Sequence, residues 1–449
     1  MTPAGRGHSE TARQLVHIAM GGCAVLLRWL SWPQAVALAG GALAFNLTLL
    51  PRVGGSLYRP GDRARVLHGI VFYPLAVLLL VLSFPRRPDL AAAAWGILAA
   101  GDGVATLAGR AFGGPRWPWN RDKTLSGSAA FVAAGAAAGA LLAWWCRPAA
   151  VPAPSMTFAL AAPIAAAVVA AFVETIPVRL DDNLSVAASA GAVMALAASI
   201  APDRLAEASS TAMSRLALAL ALNGVVALAG YLARSVNAAG AIAGAAIGVT
   251  TYVCVGPSGW TLLLVTFAAA TIASRAGLQR KIALGIAEDR GGRRGPGNAI
   301  ANTGVAAIAA VLALTGGFEG LARIAFAAAL TAGGSDTIAS EIGKAFGRRT
   351  VSITSFTRVP PGTSGALSLE GTIAGLAGAL GLAAVAAALG VVPAGAIATI
   401  VIAATAGSAV ESWLGATLEG PGILNNDLLN FINTAVAALA AAGLAARLS

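Results

Sequence analysis

Acidic residues are scarce in this chain: 19 Asp and Glu among 449 positions, against 30 Lys and Arg. Charged residues of both signs reach only 11%, under half of the roughly 25% usual for soluble domains, which excludes an ordinary soluble globular protein. Cysteine is sparser still. Cys23, Cys146 and Cys254 lie far apart in or beside apolar runs, with neither metal-site spacing nor a disulfide pattern, so they read as core or lipid-facing residues. The lone histidines His17 and His68, near span ends, read as structural. The formal charge of +11 does not point to nucleic acid, because the bases sit in short loops between apolar spans rather than on a soluble domain. An outer-membrane barrel would alternate apolar and polar positions, and this chain does not. Met1 to Gln14 is polar and leads directly into successive spans, so no cleavable signal peptide is expected.

What is present is apolar: 57% hydrophobic residues, mostly in runs close to the ~20 residues that cross a hydrocarbon core as a helix. The expected fold is an all-α polytopic integral membrane protein of about fifteen transmembrane helices in two related helical halves, 1–205 and 206–449. Seven spans lie between Leu15 and Ile200 and eight between Met213 and Leu444, divided by the polar stretch Ala201 to Ser210. With a cytoplasmic N-terminus, bases such as Arg52, Arg59, Arg63, Arg65, Arg110, Arg179, Arg275, Arg290, Arg293 and Arg294 collect on the inner side. Both polar clusters described next then open on the cytoplasmic face of a cell inner or plasma membrane.

Carboxylates are costly at membrane depth, yet a set of them recurs in one order. The first set is Asp102 within Gly101-Asp102-Gly103, then Leu125-Ser126-Gly127-Ser128, then Glu174-Thr175, then Asp181-Asp182-Asn183. An Asp near a membrane border, on a backbone kept open by small residues, can bind Mg²⁺, which prefers oxygen ligands and bridges phosphates. The loop Gly113 to Thr124 adds Arg116, Arg121 and Lys123, which suit phosphate charge. Ser126, Gly127 and Ser128 open the next span, where free NH groups and hydroxyls favour an anion. Helix capping by Ser126, Asp182 and Asn183 with structural ion pairs is the competing reading.

The run GDGVATLAGRAFG, then PWNRDKTLSGSAAF, then VETIPVRLDDNLSV, resembles the motif series of the phytol kinase and dolichol kinase families over about residues 11 to 200. Arg13-Gln14-Leu15-Val16-His17 is similar to that family's Arg-Lys-x-x-His start, with Gln14 in place of Lys, and Thr124 stands where Ser commonly follows the Lys. The resemblance implies an integral membrane enzyme that phosphorylates a long isoprenoid alcohol with CTP.

The second set is Gly334-Ser335-Asp336, then Leu369-Glu370-Gly371-Thr372, then Glu411-Ser412, then Asn425-Asn426-Asp427. The loop before Gly371 and Thr372 includes Arg358, Gly362 and Thr363, dense enough in Gly, Ser and Thr to wrap phosphates; a flexible connector is the alternative. Arg280 and Lys281 begin a basic loop feeding a polar span start. This series resembles the phytyl-phosphate kinase family from about Ala212 onward, through Asp-Thr-x-Ala-Ser-Glu-x-Gly, Gly-Thr-x-Gly and Leu-Gly-Ala-Thr motifs, with Ser364 where the family usually has Asn. It implies conversion of an isoprenyl monophosphate to the diphosphate.

The combined expectation is a bifunctional kinase using Mg²⁺ and a nucleoside triphosphate on isoprenoid alcohol and isoprenyl phosphate in the bilayer. Asp102 and Asp182 are expected as metal ligands, Lys123 and Arg121 as phosphate binders, Asn183 as a positioning group, and Glu174 as a ligand or base. In the second half Asp336, Glu411 and Asp427 take the acidic roles, with Asp336 and Asp427 on metal. Arg280, Lys281 and Arg358 are the candidate phosphate groups. A secondary transporter and a CTP-dependent cytidylyltransferase of a phospholipid precursor are the other classes the pattern admits.

Overall fold

In a computed structural model the described residues are 10–50, 70–177, 180–286 and 295–448. Arg52, Arg59, Arg63, Arg65, His68, Arg179, Arg290, Arg293 and Arg294 lie outside them. The chain forms two compact units, Met1–Ala198 and Ser199–Ser449. The polar stretch expected to separate the halves belongs to the second unit. There the Ala201 N–H donates to the Thr315 carbonyl at 2.9 Å, and Ile200 bridges Gly316.

In the first unit, α1 (Glu10–Gly21) tightens into a 3₁₀ stretch, Gly22–Arg28, before α2 (Trp32–Thr48) and α3 (Phe72–Ser83). Then α4 (Pro88–Gly96) passes through a widened π turn, Ile97–Asp102, into α5 (Gly103–Phe112). The unit closes with α6 (Leu125–Cys146), α7 (Met156–Thr175) and α8 (Asp182–Ala198). The central element is α4: Leu90 to Trp95, Ile97 and Leu98 are all buried. Its alanines and Gly96 let α6 approach so closely that a Cβ on Gly96 would meet Leu142 at 2.6 Å.

The second unit runs α9 (Leu205–Leu232), α10 (Ala238–Val255), α11 (Pro257–Arg275), the short α12 (Leu278–Ala283), α13 (Pro296–Thr315) and α14 (Glu319–Phe346). A small antiparallel pair, β1 (Thr350–Ser352) and β2 (Ala366–Ser368), sets Val351 opposite Leu367. It leads into α15 (Leu369–Ala388), α16 (Ile397–Leu414) with a π turn at Gly415–Glu419, and α17 (Asn426–Leu448). Here α14 is the central helix, with Phe326 to Ser335 buried throughout.

Among the described residues ten helices are long and apolar enough to cross a membrane, where about fifteen spans were expected. Three of the ten lie in the first unit and seven in the second. The helices α3 and α8 are apolar but have only 12 and 17 residues. The 28-residue α14 is outside the ten; it carries Asp336, Glu341 and Lys344. Asp102, expected near a membrane border, lies in the C-terminal half of the 25-residue stretch Pro88–Phe112. The helix continues past it because the π turn and Gly103 absorb the polar step without a break.

Candidate functional site

Three carboxylates converge in the first unit: Asp102, Glu174 and Asp182 each offer an oxygen, all within 4.8 Å of one another. They arrive from the π turn, the end of α7 and the start of α8, so packing alone brings them together. Lys123 bridges two of them, its Nζ 2.6 Å from Glu174 Oε1 and 2.8 Å from Asp182 Oδ2. Burial opposes the Lys123 charge, but the Glu174 and Asp182 carboxylates outweigh it and hold the ammonium pKa above the ordinary lysine value. With Asp181 and Arg13 also acting on Asp102, the carboxylates around the cluster outnumber the cations, which leaves room for a further one.

The loop Gly113–Thr124 is built to deliver that lysine. Gly113 and Gly114 turn the chain at φ 59° and 106°, conformations that favour glycine. The Leu125 N–H then donates to the Pro115 carbonyl at 2.9 Å, and Arg116 pairs across to Thr124. Asn120 Nδ2 donates to the Thr175 carbonyl at 3.1 Å and Trp119 Nε1 to Thr175 Oγ1 at 3.2 Å, which pins the loop against the end of α7 beside Glu174. Trp117 Nε1 donates to Ser128 Oγ, and Ser126 Oγ to the Gly113 carbonyl. Ser126 and Ser128 therefore secure the loop, while Gly127 donates its N–H to the Thr124 cap at 3.1 Å. Arg116 Nη1 donates to the Arg121 carbonyl.

Asn183 donates through Nδ2 to Asp181 Oδ1 at 2.7 Å, which leaves its own buried Oδ1 with no hydrogen-bond partner. The three carboxylates form an oxygen-only donor set, which fits Mg²⁺, and the orphaned amide oxygen follows Asp182 directly in the chain. His17, read as structural from sequence, lies with Nε2 3.6 Å from Asp102 Oδ2 and is stacked edge-on against Tyr73. Trp119 and Asn120 were not singled out by sequence; the signal available was their place between Arg116 and Lys123.

In the second unit a cavity of about 470 Å³ is lined by Asp336, Glu411, Gly362, Thr363, Gly371 and Thr372, all six expected at the site. Lys344, Ser340, Ser364, Ser412, Glu419 and Asn426 also line it. Glu411 Oε2 is buried with no hydrogen-bond partner. Ser364 Oγ donates to Glu419 Oε2, drawing the Gly-Thr-Ser loop onto the π turn. The fit is tight, since a Cβ on Gly365 would stand 2.4 Å from the Ser412 carbonyl.

Four expected residues lie elsewhere. Asp427 points at Gly297, where an added Cβ would meet Asp427 Oδ2 at 2.1 Å, and is not among the lining residues. Lys281 is 1% exposed and holds Glu341 Oε2 at 2.6 Å. Arg280 stands beside it on α12, and Arg358 bridges Val351 through its backbone; neither lines the cavity.

One local arrangement occurs in each unit. In the first, Gly109 and Gly127 face each other beneath the Thr124 hydroxyl; in the second, Gly343 and Gly371 do so beneath Ser368. Asp102 lies seven residues before Gly109, and Asp336 seven before Gly343.

A match to the family described as integral membrane protein DUF92 covers residues 221–438. Protein VTE6, chloroplastic, of Arabidopsis thaliana is 37% identical over 217 residues, 47% of this chain and 65% of that protein. An uncharacterized membrane protein of Synechocystis is 38% identical over 204 residues, 44% of this chain and 79% of the relative. The probable phytol kinase 3, chloroplastic, of Glycine max is 30% identical over 188 residues, 39% of this chain and 59% of that protein. The chain thus spans less than two thirds of the Arabidopsis and soybean proteins. No solved structure matches.

Proposed function

Since the chain belongs to the integral membrane protein DUF92 family, we propose that it is a bifunctional membrane kinase, converting an isoprenoid alcohol to its monophosphate and then its diphosphate. The supporting observation is the first-unit cluster: Asp102, Glu174 and Asp182 oxygens within 4.8 Å, bridged by Lys123. Phosphoryl transfer asks for this combination of metal ligands and fixed positive charge, and needs no covalent protein intermediate. A soybean relative named as a probable phytol kinase supports the alcohol as first substrate. The nucleotide is CTP by the motif resemblance, and both sites face the nucleotide-bearing side of the membrane.

In the first unit Asp102 and Asp182, with Asn183 Oδ1, would hold Mg²⁺. When bound, the ion supplies neutralisation of charge on the transferring phosphoryl group. Lys123 holds the Glu174 and Asp182 carboxylates in register and presents its ammonium to the nucleotide phosphates. As the alcohol oxygen bonds to the γ-phosphorus, the bond to the β–γ bridging oxygen breaks, the nucleoside diphosphate leaves, and Glu174 takes the alcohol proton. In the second unit the nucleophile is a phosphate oxygen that is already ionised, so it needs no base. There Asp336 and Glu411 would be the acidic pair, and the Gly362–Ser364 loop would cover the phosphates.

The test is purified full-length protein with Mg²⁺, labelled nucleotide and phytol or geranylgeraniol, with products resolved as monophosphate, diphosphate or CDP-lipid. Asp102→Ala should abolish monophosphate formation, and Asp336→Ala should make monophosphate accumulate. Absence of label transfer with every nucleotide sinks the kinase reading, and CDP-lipid as the product replaces it with cytidylyl transfer.

A further inference from the structure

We propose that Lys344 is the phosphate-binding cation of the second-unit cavity, and that Lys281, buried behind it, engages Glu341 so that Lys344 is free to leave that carboxylate for the ligand. The proposal rests on the kinase reading only for which phosphate is bound, that of the nucleotide or that of the lipid. Asp336, Ser340 and Lys344 follow at intervals of four on α14, the spacing that shares a helix face, and all three line the cavity. Among the described lining residues Lys344 is the one cation, against Asp336, Glu411 and Glu419. A cavity of this sign admits an anion only where its cation can reach it.

The hydrogen bonding beneath explains how it can. Glu341 is buried and meets two ammonium groups through separate oxygens: Lys281 Nζ lies 2.6 Å from Oε2, and Lys344 Nζ lies 3.0 Å from Oε1. Lys281 is 1% exposed and also donates to the Ser274 carbonyl at 2.6 Å, whereas the Lys344 side chain is 27% exposed. A buried carboxylate with a single partner would hold it firmly, because release would strand a charge. With Lys281 in place, departure of Lys344 leaves Glu341 still paired. The triad as a whole carries one surplus positive charge, and its mobile member faces the cavity. The first unit has Arg110 eight residues after Asp102, as Lys344 follows Asp336.

The experiment measures equilibrium binding of labelled inorganic pyrophosphate to the full-length protein in detergent, using the monodisperse fraction of each variant. First-unit binding is common to all the proteins, so differences report the Lys344 site. Lys344→Gln should weaken that site at least tenfold and Lys344→Arg should keep it within about threefold; Lys344→Gln binding as wild type does overturns the proposal. Lys281→Met should weaken it comparably by fixing Lys344 on Glu341, and adding Glu341→Gln to Lys281→Met should restore it. Wild-type affinity in Lys281→Met, or no recovery in the double variant, overturns the role of Lys281. Steady-state kinetics on the same variants identify the phosphate, as the KM for nucleotide or for isoprenyl monophosphate rises. Lys344-dependent binding without any label transfer upholds the cation site and refutes the kinase reading alone.

Discussion

Lys123 couples two tasks that pull in opposite directions. It must stay charged where burial disfavours charge, and it does so because Glu174 and Asp182 flank it at 2.6 and 2.8 Å. The raised pKa fixes the sign of the pH dependence: these pairs contribute stability fully below the ordinary lysine value of 10.5 and lose it only as pH climbs through the higher folded value. Lys123→Met should therefore lower the first phosphorylation by roughly 10²- to 10³-fold. The wild-type rate should show no alkaline fall from loss of the Lys123 proton up to about pH 9, where a lysine of ordinary or raised pKa keeps it. A pH–rate profile of monophosphate formation on wild type and variant checks both, and an alkaline fall below about pH 9 in wild type that is absent from Lys123→Met would show that Lys123 deprotonates.

At the scale of elements, each candidate site is set by two helices whose glycines meet. Where α14 crosses α15, a Cβ on Gly371 would lie 2.7 Å from the Ala339 carbonyl and 3.1 Å from the Gly343 Cα. Both obstacles are backbone, so the helices must separate to admit it. Gly371→Ala should destabilise the protein by about 1–3 kcal/mol, and it should displace the Ser368 cap and the loop that follows β1. Gly381 lies on the same helix with nothing within 4 Å of an added Cβ. Gly381→Ala should be neutral or stabilising by up to about 1 kcal/mol through helix propensity. Thermal unfolding of the two variants in one detergent separates a crossing effect from a generic glycine effect.

For the whole molecule the relevant fact is that each unit has a core of its own. One cluster of buried residues runs from Ala24 to Met194, and another from Val255 to Ala441. Residues 1–198 and 199–449, expressed separately, should each insert and remain monodisperse, whereas a cut after Leu205 would part Ala201 from the Thr315 carbonyl that accepts its N–H. Two kinases acting in sequence would gain from one chain if the monophosphate stayed in the bilayer between them. Diphosphate should then appear with a shorter lag from the intact chain than from the two pieces mixed in one membrane, as product time courses would record. Equal lags end the idea of direct transfer.

The sequence by itself determined the class of the molecule and the order of its polar groups. Few charges and long apolar runs force helices in a membrane, because backbone groups in hydrocarbon must be satisfied within the segment. Acids that persist in such a setting, Asp102, Glu174, Asp182, Asp336 and Glu411, stand out against it. Which of them meet was decided only by tertiary structure. Lys123 and Glu174 are 51 positions apart, and Lys281 and Glu341 are 60 apart. Those pairings depend on how each helix is rotated about its axis and how closely glycine and alanine faces let it approach its neighbour. Rotation turned Asp427 toward Gly297 and buried Lys281, while it left Glu419 and Lys344 facing the cavity. One-dimensional spacing fixes the face within a helix, but not which neighbour that face will meet.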